Sequence, residues 1–225
     1  MSAIDARSAP PGEAHGVRAT IFLQPIAAPS VLGDFAGASA FLLFGVWLAG
    51  GLGAPPAKAG VSIFPFILLF GGIGQLGAAM WSYKARDAVA ASNHGAWGGF
   101  WMGYGFLWLL DAAKVITLPV FGHGFEALGQ WFIYMAVITW TTAVAALSRG
   151  PDQFLTHATA AAAATVACAG LIAGSPDWQQ AAGWIFVAAA ALFIVQGARL
   201  MLHAMFGGGD PIEYAAGEPG VKVGQ

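Results

Sequence analysis

Phe70-Gly71-Gly72-Ile73-Gly74-Gln75-Leu76-Gly77-Ala78-Ala79-Met80-Trp81 carries no charge, holds four glycines, and has one amide, Gln75, in its middle. It lies inside an apolar run of roughly 60–81, and five similar runs flank it, at roughly 35–53, 95–118, 128–147, 155–174 and 181–206. Each is near the roughly 20 residues that an α-helix needs to cross a hydrocarbon core about 30 Å thick. Short stretches holding Pro55, Pro56, Lys84, Arg86, Asp87, Pro119, Pro151 and Pro176 separate them.

Composition agrees. Of 225 residues, 58% are hydrophobic and 9% charged, against about 25% charged in a soluble domain, and the mean hydropathy is +0.69. So few charges cannot clothe a water-exposed surface. The expected fold is an all-α polytopic membrane protein, a bundle of six transmembrane helices spanning 31–206, with tails at 1–30 and 207–225. The first thirty residues lack the basic-then-apolar layout of a cleavable signal peptide.

Basic residues orient the bundle. With a cytoplasmic amino terminus, the inner segments hold Arg7, Arg18, Lys84, Arg86, Arg149, Arg199 and Lys222, and the outer ones only Lys58 and Lys114. The positive-inside rule therefore puts both termini in the cytoplasm, and a bacterial inner membrane is the expected location. Trp81, Trp131 and Trp178 near the run ends fit an interfacial belt.

Several function classes are excluded by what is missing. The net charge of -2 offers no nucleic-acid footprint. The single cysteine, Cys168, gives no disulfide framework or thiolate cluster, and the five histidines show no metal-ligand spacing. There is no phosphate loop, nucleophile elbow or carboxylate pair. No enzyme and no cofactor are expected.

The residues that stand out do so against an apolar background. Gly71, Gly72, Gly74 and Gly77, and Gly95, Gly99 and Gly103 at four-residue spacing, make smooth helix faces that serve close helix packing, a narrow solute path, or both. Gln75 is too costly to face lipid, so it should face a neighbouring helix or a hydrated path. The Ala-rich 158–169 suits a helix inside the bundle. Asp111 and Lys114, three apart, suggest a local ion pair near the outer end. Asp34, just before an apolar run, reads as a helix N-cap, or as a protonatable element at the mouth of a path together with His94 or His157.

From Gly71-Gly72-Ile73-Gly74-Gln75-Leu76 through Met80-Trp81-Ser82-Tyr83-Lys84, and again at Ala96-Trp97-Gly98-Gly99-Phe100-Trp101, the chain resembles the acetate uptake transporter family (GPR1/FUN34/YaaH). That family typically reads Gly-Gly-x-Gly-Gln, an aromatic-rich string, then Ser-Tyr-Gly-Gly-Phe-Trp. Its amino-terminal signature survives within Ile26–Phe35 as Ala28, Pro29, Leu32 and Phe35. The resemblance implies a homo-oligomer, most simply a hexamer, whose protomers each hold a narrow path closed by Phe, Tyr and Leu. On that pattern Phe35 matches the phenylalanine, Trp97 stands for the tyrosine, and Thr159 is placed for the leucine. Asp34 replaces a family glycine, Asn93-His94 replaces an apolar or aromatic pair, and Ile26 replaces an asparagine.

The expected function is a channel or transporter for small monocarboxylates such as acetate, passive or proton-coupled. The other readings are a path of the same architecture for a small neutral solute or ammonia, which Asp34 and His94 would not repel, and a non-transporting membrane sensor. The expected partners are the solute, the lipid bilayer and further copies of the chain.

Overall fold

A computed structural model describes residues 27–50, 62–119 and 123–206. Ile26, most of the two tails, and the basic residues Arg7, Arg18, Lys58 and Lys222 lie outside the described residues. Six long helices run in sequence: α1 Pro29–Leu48, α2 Ser62–Lys84, α3 Ala88–Ala112, α4 Glu126–Ala146, α5 Pro151–Ala173 and α6 Pro176–Phe206. No strand occurs among the described residues. Five of the six are long and apolar enough to cross a membrane. The exception is α3, whose 25 residues include Asn93, His94 and Asp111, and whose polar pair is buried by its neighbours.

The helices start where the chain supplies a local reason to start. Proline opens α1 and α5, where its missing N–H is no loss, and Gly174 ends α5 in a left-handed turn with φ 61°. Asp87 caps α3, its Oδ1 accepting from the Ala90 amide at 2.9 Å. Hydropathy does not see such caps, and two boundaries move as a result. α1 begins at Pro29 with Ala28 as its N-cap, so Asp34 lies inside the helix and is not its cap. α3 begins at Ala88 rather than near 95, which places Asn93 and His94 on the helix.

α1 packs against α6, α2 and α3; α2 and α3 form one hairpin, α4 and α5 another, and α5 closes onto α6. The ring is loosest between α3 and α4. Backbones touch where α1 crosses α6: a Cβ on Gly45 would lie 2.7 Å from the Gly183 carbonyl oxygen, so only glycine permits that approach. The same holds between α2 and α3, where a Cβ on Gly98 would meet Leu76 N at 2.8 Å. A Cβ on Gly99 or Gly103, in contrast, would meet none of the described residues within 4 Å. The expected smooth face is thus divided: part is used inside the protomer and part is left open.

The opening sequence has an unusual backbone. Ile67–Gly74 is π-helical and returns to α-helix at Gln75. Such wide turns are rare and recur at functional sites. The Ala-rich α5 is deeply packed, with Ala160, Ala161, Ala163, Ala164 and Ala167 fully buried. Trp81, Trp131 and Trp178 are about half exposed near helix ends, as a belt requires. The expected Asp111–Lys114 ion pair does not form: Asp111 Oδ1 instead accepts from the Leu118 amide at 2.8 Å, which closes the turn after α3. Lys84, Arg86, Arg149 and Arg199 share one end of the bundle, and Lys114 lies at the other.

Candidate functional site

At the end that carries Arg149, a cavity of about 490 Å³ opens among α1, α3, α5 and α6, and its walls include Asp34, Asn93, His94, His157 and Gln196. Each of these five side chains is buried, and each comes from a segment that is otherwise apolar. A buried polar group is tolerable only with partners, so their contacts are informative. Asp34 Oδ2 accepts from Gln196 Nε2 at 3.0 Å, and Asp34 Oδ1 lies 3.9 Å from His94 Nε2. His157 Nδ1 is 2.9 Å from the Gln153 carbonyl oxygen. A carbonyl only accepts, so that nitrogen carries the proton and Nε2 faces away from the helix.

Glycine makes room for this group. A Cβ on Gly33 would fall on the His94 ring, and one on Gly197 would meet Asp34 Cβ at 3.2 Å. Gly37 does the same for Gln75, whose amide lies against α1 with Oε1 unpartnered. Asn93 Oδ1 and Gln196 Oε1 also lack a hydrogen-bond partner. Open acceptors around a cavity can take up the proton-bearing oxygen of a solute or the water it replaces.

The rim is held by ions. Arg149 Nη2 donates to Asp87 Oδ1 at 2.6 Å. Burial alone would push the Asp87 carboxyl up, but the hydrogen bonds from Arg149 and the Ala90 amide outweigh it and hold the group below the usual carboxylate range. A second pair, Arg199 with Asp152 at 2.7 Å, sits more openly nearby. It borders a crevice of about 550 Å³ on the outside of α5 and α6, which shares Gln153 and Gln196 with the central cavity.

Deeper in the bundle than the cavity, the core packing becomes aromatic. Phe41, two turns beyond Asp34 on α1, meets Trp97 edge-on at 4.7 Å and stacks on Phe186 at 5.4 Å. Phe193 closes the same level, 5.5 Å from Phe41 and 5.2 Å from His157. Trp97 is fixed: its Nε1 donates to Thr139 Oγ1 at 3.1 Å, and that hydroxyl donates to the Met135 carbonyl at 2.6 Å.

The structure therefore brings Asp34, Asn93, His94 and His157 together on one cavity and sets Trp97 in the aromatic core one turn beyond His94 on α3. Gln75 lies to one side against Gly37. Phe35 and Thr159 do not meet Trp97. Half-buried Phe35 lies beside Gly197, where a Cβ would be 3.5 Å from its ring, and Thr159 donates to Leu155 O on its own helix at 2.8 Å. The ring that faces Trp97 from α1 is Phe41. Sequence reading missed Phe41, Gln196 and Arg149. The argument that singled out Gln75, an amide within an apolar run, applies equally to Gln196, and Phe41 follows from Asp34 by a seven-residue step on one helix face.

A ring of long apolar helices around a polar cavity at one end, with packed aromatics beyond it, is the build of a helical membrane protein. The chain belongs to the GPR1/FUN34/yaaH family, whose sequence model matches residues 13–204. The solved structure of the bacterial acetate channel SatP is similar in fold, with a TM-score of 0.72 over 81% of this chain and 96% of that one, at 20% identity. A search of curated proteins finds no match.

Proposed function

We propose that the chain forms a membrane path for small monocarboxylates such as acetate, taken up together with a proton or as the neutral acid. The observation that carries this is the cavity whose walls hold Asp34, His94, His157 and Gln196, with the Phe41–Trp97 contact one to two helical turns deeper on α1 and α3. Polar groups in the cavity can replace part of a carboxylate's hydration, and an aromatic core passes a small, charge-neutralised acid at far lower cost than an ion. Family membership and the likeness to an acetate channel support the reading. Lys84, Arg86, Arg149 and Arg199 at the cavity end support a cytoplasmic opening and cytoplasmic termini in a bacterial inner membrane. The open Gly99 and Gly103 face supports a homo-oligomer, most simply a hexamer.

One observation favours a second reading. A carboxylate 1% exposed, Asp34, stands on the path and would repel an anion when ionised, which suits a neutral solute or ammonia. Initial uptake of labelled acetate, urea and methylammonium into liposomes holding the protein separates the two. Acetate entering faster than into protein-free liposomes supports the carboxylate path. Urea or methylammonium entering while acetate does not would establish the other.

A further inference from the structure

Beyond the Phe41–Trp97 contact, the core face of α3 carries Trp101, Tyr104 and Trp108, at 0%, 2% and 4% exposure. Their spacing of three and four puts them on one stripe with Trp97, running about 16 Å along the helix at 1.5 Å per residue. The Trp97 N–H is satisfied by Thr139. The next three polar atoms on the stripe, Trp101 Nε1, Tyr104 Oη and Trp108 Nε1, are buried and have no hydrogen-bond partner. Tyr104 and Trp108 touch edge to face, with centroids 6.5 Å apart, and the Trp108 N–H approaches Tyr104 Oη outside good hydrogen-bond geometry, which leaves the phenol proton and the Trp101 N–H without acceptors.

An unpaired buried donor costs about 1–3 kcal/mol, and folded proteins keep few of them. Three in succession on the axis of a proposed path call for a partner that is not part of the chain. The chemistry of the atoms names its class. An indole N–H only donates, and a phenol can donate, so these N–H and O–H groups suit a solute rich in acceptors, whereas an ammonium ion meets only the ring faces and the phenol oxygen. The carbonyl oxygen of a protonated carboxyl remains an acceptor, so the donors serve the charge-neutralised acid of the reading above.

We infer that Trp101, Tyr104 and Trp108 form a donor track for the carbonyl oxygen of a charge-neutralised carboxyl group through the aromatic half of the bundle. This rests on the carboxylate reading above and names the groups that select for it. In this structure the track is closed: Phe64 stacks on Trp108 at 4.4 Å, and Phe44 meets Tyr104 edge-on at 5.4 Å. Those two rings, from α2 and α1, must shift for a solute to reach the donors.

The test uses Trp101→Phe, Tyr104→Phe, Trp108→Phe and the triple variant, each of which keeps a ring and removes a donor. In liposomes, the triple variant should lose roughly tenfold in acetate uptake, the size of about one lost hydrogen bond, and lose less in urea uptake. Tyr104→Phe should melt with the parent, while each Trp→Phe change also shrinks a buried ring and should lower the melting temperature, so uptake is compared among variants that remain folded. Unchanged acetate uptake, or equal losses for acetate and urea, would overturn the track. An independent readout is the ¹⁵N–¹H signal of the Trp101 and Trp108 indoles, assigned by its disappearance in the Phe variants. Sodium acetate should move both signals downfield, and methylammonium chloride should not. If the parent transports no acetate but the indoles shift, the site stands and the transport reading fails. If acetate crosses but neither indole moves, the track fails alone.

Discussion

The bundle is made of different materials at its two ends. Around the Arg149 end, α1, α3, α5 and α6 contribute Asp34, Asn93, His94, His157 and Gln196 to an open cavity. Along the rest of α3 the same helix face presents Trp97, Trp101, Tyr104 and Trp108 to Phe41, Phe44 and Phe64 in closed ring packing. On the proposed function, the polar end takes up a solute and its water, and the aromatic end passes what has shed both water and charge. That reading divides labour: solute and proton meet in the cavity, and the ring stack beyond it is the barrier to flow.

The largest expected effect comes from breaking the boundary between the two ends. Trp97→Ala removes a ring 1% exposed that touches Phe41, Trp101 and Phe186. It should cost about 3–5 kcal/mol of stability. Where the variant still folds, acetate flux should rise and selectivity against urea should fall. Unchanged flux in a well-folded variant would place the barrier elsewhere. Gly33→Ala attacks the polar end, because its Cβ would occupy the His94 ring. It should cost about 1–3 kcal/mol as overpacking and lower uptake by driving His94 from Asp34, whereas Gly77→Ala, facing open space, should be silent in both assays.

Thr139→Val sharpens the comparison at Trp97. It removes the acceptor of the Trp97 N–H and leaves that donor buried, at a cost of about 1–3 kcal/mol, while the ring itself stays in place. Thermal unfolding should show the loss, and flux should rise less than in Trp97→Ala.

The smallest effect concerns the rim. The folded Asp87 carboxyl is held below its ordinary range, chiefly by Arg149 against the opposing effect of burial. Its stabilisation is therefore complete above the unfolded value of about 3.9 and is lost as pH falls through the depressed folded value. Asp87 is partly exposed, so solvent screening keeps the gain below about 1 kcal/mol. Arg149→Gln should melt slightly below the parent at neutral pH, and the gap should close in acid. A gap that widens in acid would contradict the sign.

Much of the fold was legible because burial in lipid writes itself into sequence as length and hydropathy. The runs at 35–53, 128–147 and 155–174 foreshadow helices Pro29–Leu48, Glu126–Ala146 and Pro151–Ala173. Helix starts were less legible, since Pro29, Asp87 and Pro151 set them by local capping outside the apolar signal. The cavity was partly legible: Asp34, His94 and His157 stand out as polar residues in apolar runs. Which aromatic faces Trp97 was not, because Phe35 and Phe41 lie on the same helix and only the rotation of α1 against α3 chooses between them. That rotation depends on contacts such as Gly33 with His94 and Gly45 with Gly183, which belong to pairs of helices and to neither alone.

The central claim is that acetate crosses through the polar cavity with its charge neutralised there. Initial rates of acetate uptake from about pH 5 to about pH 8, spanning the ordinary range of a histidine, test it most directly. Parent and Asp34→Asn are each measured against protein-free liposomes. His94 and His157 face Asp34 from α3 and α5, with Asp87 and Arg149 at the rim, and all remain in the variant. The account predicts protein-dependent acetate uptake that rises as the pH falls, with the dependence flattened or displaced in Asp34→Asn. No acetate uptake above the protein-free rate at any pH, in protein that admits urea or methylammonium, would contradict it.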